Sequence, residues 1–101
     1  MTETTRPGPQ PEDMLRRLRA WPVSSWRHGD RERAPRAAVQ ELADLAADAA
    51  GERRRVVPDV GVTALPDQLV VLAADARASG VPEDAVRAVL DRLSDALGLR
   101  R

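Results

Sequence analysis

The sequence predicts an all-α fold: a small bundle of three to four helices with a C-terminal helix pair, an extended Val/Pro-rich crossover and a disordered N-terminal tail. Three observations carry this reading. Apolar residues recur at helical spacing in four separate stretches. Each stretch opens at a proline, Pro11, Pro35, Pro66 or Pro82, a residue suited to the first turn of a helix. Gly51, Gly80 and Gly98 follow three of the stretches, where a left-handed residue commonly stops a helix. A chain of 101 residues fits one domain, expected over 11–101 behind a tail at 1–10.

The tail carries Pro7, Pro9 and small polar residues, with no apolar period. Pro11 then opens a helix expected over 11–21, with Glu12 and Asp13 at the positive end of its dipole. Met14, Leu15, Leu18 and Trp21 form its apolar face, and Pro22 stops it. Residues 23–34 are polar and turn-rich and read as a loop. A second helix is expected over 35–50, with Val39, Leu42, Leu45, Ala46 and Ala49 on one face. From Arg53 to Leu65 the period fails. Val56, Val57, Val60 and Val62 favour extended backbone, while Pro58 and Gly61 oppose a regular strand, hence a crossover.

The last two helices are expected over 66–79 and 82–97. Leu69, Leu72, Ala73 and Ala76 share one face of the first. Val86, Val89, Leu90, Leu93 and Leu97 follow a regular helical stripe in the second. So short a connection at Gly80 brings the two together, and Leu99 is placed to fold back on Leu93 after Gly98. Leu42-Ala-Asp-Leu45-Ala-Ala-Asp48-Ala resembles Leu69-Val-Val-Leu72-Ala-Ala-Asp75-Ala. Amphipathic Ala/Leu helices converge on such strings, so no duplication is inferred.

Composition narrows the chemistry. The chain has no Lys, Cys, Asn, Ile, Phe or Tyr, a bias of the kind a GC-rich genome imposes. Thiol, Schiff-base and phenol chemistry are thereby excluded, every cationic side chain is Arg, and the one imidazole is His28. The 16 basic and 16 acidic residues balance, so no net field draws the chain to nucleic acid or to an anionic membrane. No apolar run approaches the roughly 18 residues of a membrane span, and the N-terminus has no apolar signal segment, so a cytoplasmic protein is expected. The core is thin: 17 alanines stand beside 11 leucines, 11 valines and 2 tryptophans. A dimer or a bound partner would help to stabilise it.

Individual motifs offer little catalysis. His28-Gly29-Asp30 puts imidazole near carboxylate, but no second His and no Cys completes a zinc site. Ser24 and Ser25 lack the glycine-framed turn of a nucleophile, and no glycine-rich loop precedes a Lys-Ser/Thr pair. No catalytic residue, metal site or cofactor is assigned. The Trp21-Pro-Val-Ser-Ser-Trp26 segment lies among Arg16, Arg17, Arg19, Arg27, Arg31, Arg33 and Arg36. Tryptophan and arginine are enriched in interface hot spots, so Trp21, Trp26, Arg27, Arg31 and Arg33 are the candidate partner-binding residues. The alternative is that both indoles cap the core while the arginines are solvated.

Leu72 to Leu90 (LAADARASGVPEDAVRAVL), with Asp91 beyond, resembles the helix-turn-helix of bacterial repressors over residues 72–91, about a fifth of the chain. Ala76, Gly80, Val81, Val86 and Val89 fall at that motif's spacing. The resemblance implies DNA binding through the last helix, with Arg87 and Arg92 as its contacts. Asp75 stands where the motif packs an apolar residue, and Glu83 and Asp84 open the would-be recognition helix. Acids facing phosphates oppose the electrostatic term that dominates DNA affinity. The expectation is therefore a small non-enzymatic accessory or adaptor protein whose partner is another protein or a second copy, with DNA-binding regulation as the alternative.

Overall fold

In the computed structural model, which describes residues 11–22, 26 and 31–98, four α-helices follow one another and no strand occurs among the described residues. They are α1 (Pro11–Arg19), α2 (Arg33–Ala50), α3 (Leu65–Ala78) and α4 (Glu83–Leu97), with a 3-10 turn at Val62–Ala64 leading into α3. The expected tail at 1–10 and the contact of Leu99 with Leu93 lie outside the described residues. No helix among those described is long and apolar enough to cross a membrane.

Proline and glycine punctuate the chain much as expected, with instructive shifts. Helix α2 begins at Arg33, two residues before Pro35, and the Glu32 carbonyl accepts its first hydrogen bond from the Arg36 N–H at 3.2 Å. Proline is tolerated there because N–H groups in a first turn have no partner inside the helix. The loop expected over 23–34 is likewise too long, since Trp26 is helical and 1% exposed. Gly51 stops α2 at φ 70°, with the Glu52 N–H reaching back to the Ala47 carbonyl at 2.8 Å. The turn after α3 repeats this design. The Gly80 N–H bonds the Arg77 carbonyl at 3.2 Å and the Val81 N–H bonds that of Ala76 at 3.0 Å, while the Val81 side chain is buried.

One core joins all four helices. Met14, Leu15 and Leu18 of α1 meet Val39 and Leu42 of α2, Leu65, Leu69, Ala73 and Ala76 of α3, and Val86, Val89, Leu90 and Leu93 of α4, with Trp26 among them. Each buried Leu or Val contributes about 1.5–3 kcal/mol. The most extensive helix contact is between α2 and α3, with α2 against α4 next. The consecutive helices α3 and α4 touch less. Leu72, expected inside, is only half-buried, and Val70 and Val71 are exposed.

The α2–α3 pair has a directional consequence. Arg36, Val39 and Gln40, early in α2, share a cleft with Leu65 and Gln68 at the start of α3. Ala43, Ala46 and Ala47, later in α2, share a groove with Leu72, Asp75 and Ala78 towards the end of α3. The two helices therefore run the same way, and the chain must travel back along α2 before α3 begins. The valine-rich crossover makes that return. It has no strand to pair with, and a side chain takes the strand's place. Gln40 Nε2 donates to the Arg55 carbonyl and Gln40 Oε1 accepts from the Val57 N–H, both at 2.9 Å. Gln68 Nε2 donates to the Pro58 carbonyl at 3.3 Å, and Arg36 Nη1 pairs with Asp59 Oδ1 at 2.7 Å.

Two outcomes follow. Gln40→Ala leaves the half-buried Val57 N–H and the exposed Arg55 carbonyl to water and should cost about 0.5–1.5 kcal/mol. Hydrogen exchange at the Val57 amide should quicken, and an unchanged rate would show that Gln40 does not anchor the crossover. At Gly80 the backbone has φ 100° and an added Cβ would meet nothing within 4 Å, so any cost is purely conformational. Gly80→Val should cost about 1–3 kcal/mol in urea denaturation. A change below about 0.5 kcal/mol would mean the turn relaxes to accept a branched residue.

Candidate functional site

Three regions are candidate recognition surfaces: the tryptophan end, the α3–turn–α4 unit and the α2–α3 groove. The first arises where α1 stops. The N–H groups of Ala20 and Trp21 bond the carbonyls of Arg17 and Leu18, each at 3.1 Å, tightening the last turn before Pro22. This holds Trp21 half-buried over Trp26, with ring centroids 5.1 Å apart and planes at 66°, an edge-to-face contact. The Arg31 guanidinium lies 5.1 Å from the centroid of the Trp21 ring, in cation–π range. Beside them is a cleft of about 280 Å³ lined by Leu18, Arg19, Trp21, Trp26, Thr63, Pro66 and Asp67. Arg19 closes one side, donating from Nη2 to Asp67 Oδ1 at 2.6 Å.

Of the candidate partner-binding residues, the structure brings Trp21, Trp26 and Arg31 together. Trp26 is a core side chain, so a docking molecule would meet Trp21 and Arg31 with Trp26 as their support. Arg33 is exposed at the first residue of α2. Arg27 lies outside the described residues, as do Ser24, Ser25 and His28. Among the described residues no group of three His, Asp or Glu side chains could hold a metal ion.

In the α3–turn–α4 unit the positions that carry the helix-turn-helix resemblance are packing positions. Ala76, Val81, Val86 and Val89 are all buried, and Asp75, at the motif's remaining apolar place, is exposed. The outward charges are unsuited to phosphates. Glu83 and Asp84 are exposed in the first turn of α4. Arg92 donates from Nη2 to Glu41 Oε2 on α2 at 2.8 Å, and Arg87 is half-buried. A clamp that spacing alone did not reveal spans the turn. Arg77 Nε and Nη2 meet the two oxygens of Glu83 at 2.7 and 3.1 Å. These bonds hold the Glu83 carboxyl below its usual range, and its proximity to Arg77 and Arg87 adds to the effect.

The third region, an open groove of about 1000 Å³, was not anticipated. It lies between the later part of α2, the crossover and the end of α3. The available signal was the composition of α3, which is apolar on more than one face. No protein-family model matches the chain, and no curated protein or solved structure matches it either.

The acid side of the stability curve should report the Arg77 clamp. Glu83 is depressed in the fold, so its contribution is fully present above the unfolded pKa, near 4.5, and is lost as pH falls through the folded value. Both partners are substantially exposed, which limits the pair to about 0.2–1 kcal/mol. Arg77→Ala should therefore lower stability slightly at pH 7 and flatten its decline below about pH 5. Parallel wild-type and variant curves in urea denaturation across pH 2–7 would show that the clamp contributes nothing.

Proposed function

We propose that this protein is a non-enzymatic accessory or adaptor that binds another protein through the Trp21–Arg31 end. One observation carries the reading: a half-buried tryptophan, stiffened from below by Trp26 and covered in part by Arg31, at the edge of a cleft. Such a residue offers a large contact area with little mobility left to lose on binding. The side chains around it are suited to recognition. Arginine cannot exchange protons near neutral pH, and Asp67, the acid of the cleft, is tied to Arg19. A cytoplasmic setting fits a chain whose described helices include none able to span a membrane.

DNA-binding regulation through Arg87 and Arg92 is the weaker reading. The buried motif positions favour it, while the acidic start of α4 and the Arg92–Glu41 pair oppose it.

The experiment is affinity capture from native-host extract with the wild-type chain, Trp21→Ala and Arg31→Ala, each checked by circular dichroism. A specific protein partner should be retained by the wild type and weakened about tenfold or more by either variant, the hot-spot range. Equal capture by all three would place recognition elsewhere on the surface. Micromolar binding of random duplex DNA, falling steeply with salt, would transfer the assignment to the α3–turn–α4 unit.

A further inference from the structure

The groove sits at the opposite end of α3 from the tryptophan cleft. Its floor and much of its walls are small or apolar residues, Ala43 and Ala47 of α2, Val57 of the crossover, and Leu72 and Ala78 of α3, with charged side chains among them. Val56 on its rim is 86% exposed, and Val71, on the same helical stripe as Asp75 and Ala78, is 55% exposed. Exposed valines beside an alanine-lined trough form a patch of the kind that marks an interaction face. The remaining question is what covers it.

Charge answers that question. The crossover wall carries Glu52, Arg53 and Arg55, and the α3 wall carries Asp75. Among the described residues none of these four side chains is in an ion pair, whereas the neighbouring Arg54 is bound to Asp48 and Arg77 to Glu83. A uniformly acidic partner would meet Asp75 and Glu52, and a uniformly basic one would meet Arg53 and Arg55. The complementary surface needs a carboxylate opposite the arginine wall and a cation opposite Asp75. This face supplies both after a twofold rotation. In such an interface each contact occurs twice, so Arg53 and Arg55 of each copy would approach Asp75 of the other. The exposed Val56 of each copy would then enter the alanine-lined trough of its mate. The formal net charge of zero adds no long-range repulsion between copies.

We propose that the α2–crossover–α3 groove is a self-association surface whose occupant is a second copy of this chain. It is independent of the Trp21–Arg31 assignment, and either can fail alone.

Sedimentation velocity on the full chain, from about 1 to 200 μM at low salt, tests it, since self-association must follow mass action. The wild type should pass from monomer to dimer across that range. Val56→Asp, at an exposed position, should weaken the dimer at least about tenfold, while Trp21→Ala and Arg31→Ala should leave it intact. Asp75→Arg sets cation against cation at both ends of the interface, and Arg53→Asp with Arg55→Asp sets carboxylate against carboxylate. Each variant alone should be largely monomeric. Mixed in equal amounts, they should form a heterodimer about as tight as the wild-type dimer, because opposite charges then face each other at both ends. A role limited to folding could not produce that rescue. A wild type that stays monomeric throughout overturns the proposal and leaves the groove to a foreign partner. A dimer indifferent to Val56→Asp and to the charge reversals, or a mixture that does not associate, overturns it as well.

Discussion

The contact between α2 and α3 is the constraint around which the rest is arranged, because two sequential helices packed side by side in the same direction cannot be joined by a tight turn. The chain has to return along one of them in extended form, and the backbone groups of that return need partners that a helical protein does not ordinarily provide. Gln40 meets the requirement from within α2, its amide acting as a short piece of strand edge for Arg55 and Val57. Once the return is laid down, α4 completes the second flank of α2, and α1 closes over α3 and α4. The groove is a by-product of this arrangement, since the crossover stands as a wall beside two helices that would otherwise meet solvent directly.

Alanine makes the arrangement possible and also limits it. Ala38, Ala73 and Ala76 let helix backbones approach closely, yet they bury little surface, and the core relies on leucines, valines and the single large indole of Trp26. Arg19–Asp67, Arg36–Asp59 and Arg92–Glu41 connect elements far apart in sequence. All three involve exposed carboxylates, so their weight in stability is small. Their value is geometric: each favours one way of seating an element against its neighbour. Apolar surface is consequently left at the rim of the molecule, where Trp21 and the exposed valines are not absorbed by the small interior.

The helical framework was legible because its signals are local. Gly51, Gly80 and Gly98 take the left-handed stops that their positions implied, and the Val86–Leu93 stripe is buried as its spacing required. What escaped depends on residues distant in sequence. Nothing near Gln40 indicates that its amide will serve Arg55 and Val57, and nothing near Leu72 says that the crossover will draw it towards a groove rather than the core. Trp26 sits among polar neighbours, which made its stretch read as loop, yet burial of one indole outweighs the polarity around it. Pro35 misled by two residues because a first helical turn accepts proline at more than one position. The candidate strip was legible as composition only. Which indole would be inside, and which arginine would lie over the other, depends on contacts with residues distant in sequence, Thr63, Pro66 and Asp67 among them.

The parallel course of α2 and α3 has an electrical consequence. Helix dipoles side by side in antiparallel pairs largely cancel, but here two of them add, concentrating partial positive charge at one end of the pair and partial negative charge at the other. Helix α3 answers this field with side chains of its own, Asp67 in its first turn and Arg77 in its last. Helix α2 has no acid in its first turn and no base in its last, and Arg33 and Arg36 stand where it begins. Side chains therefore oppose the backbone field along α3 alone, and a chain of zero formal charge keeps a backbone polar axis along α2.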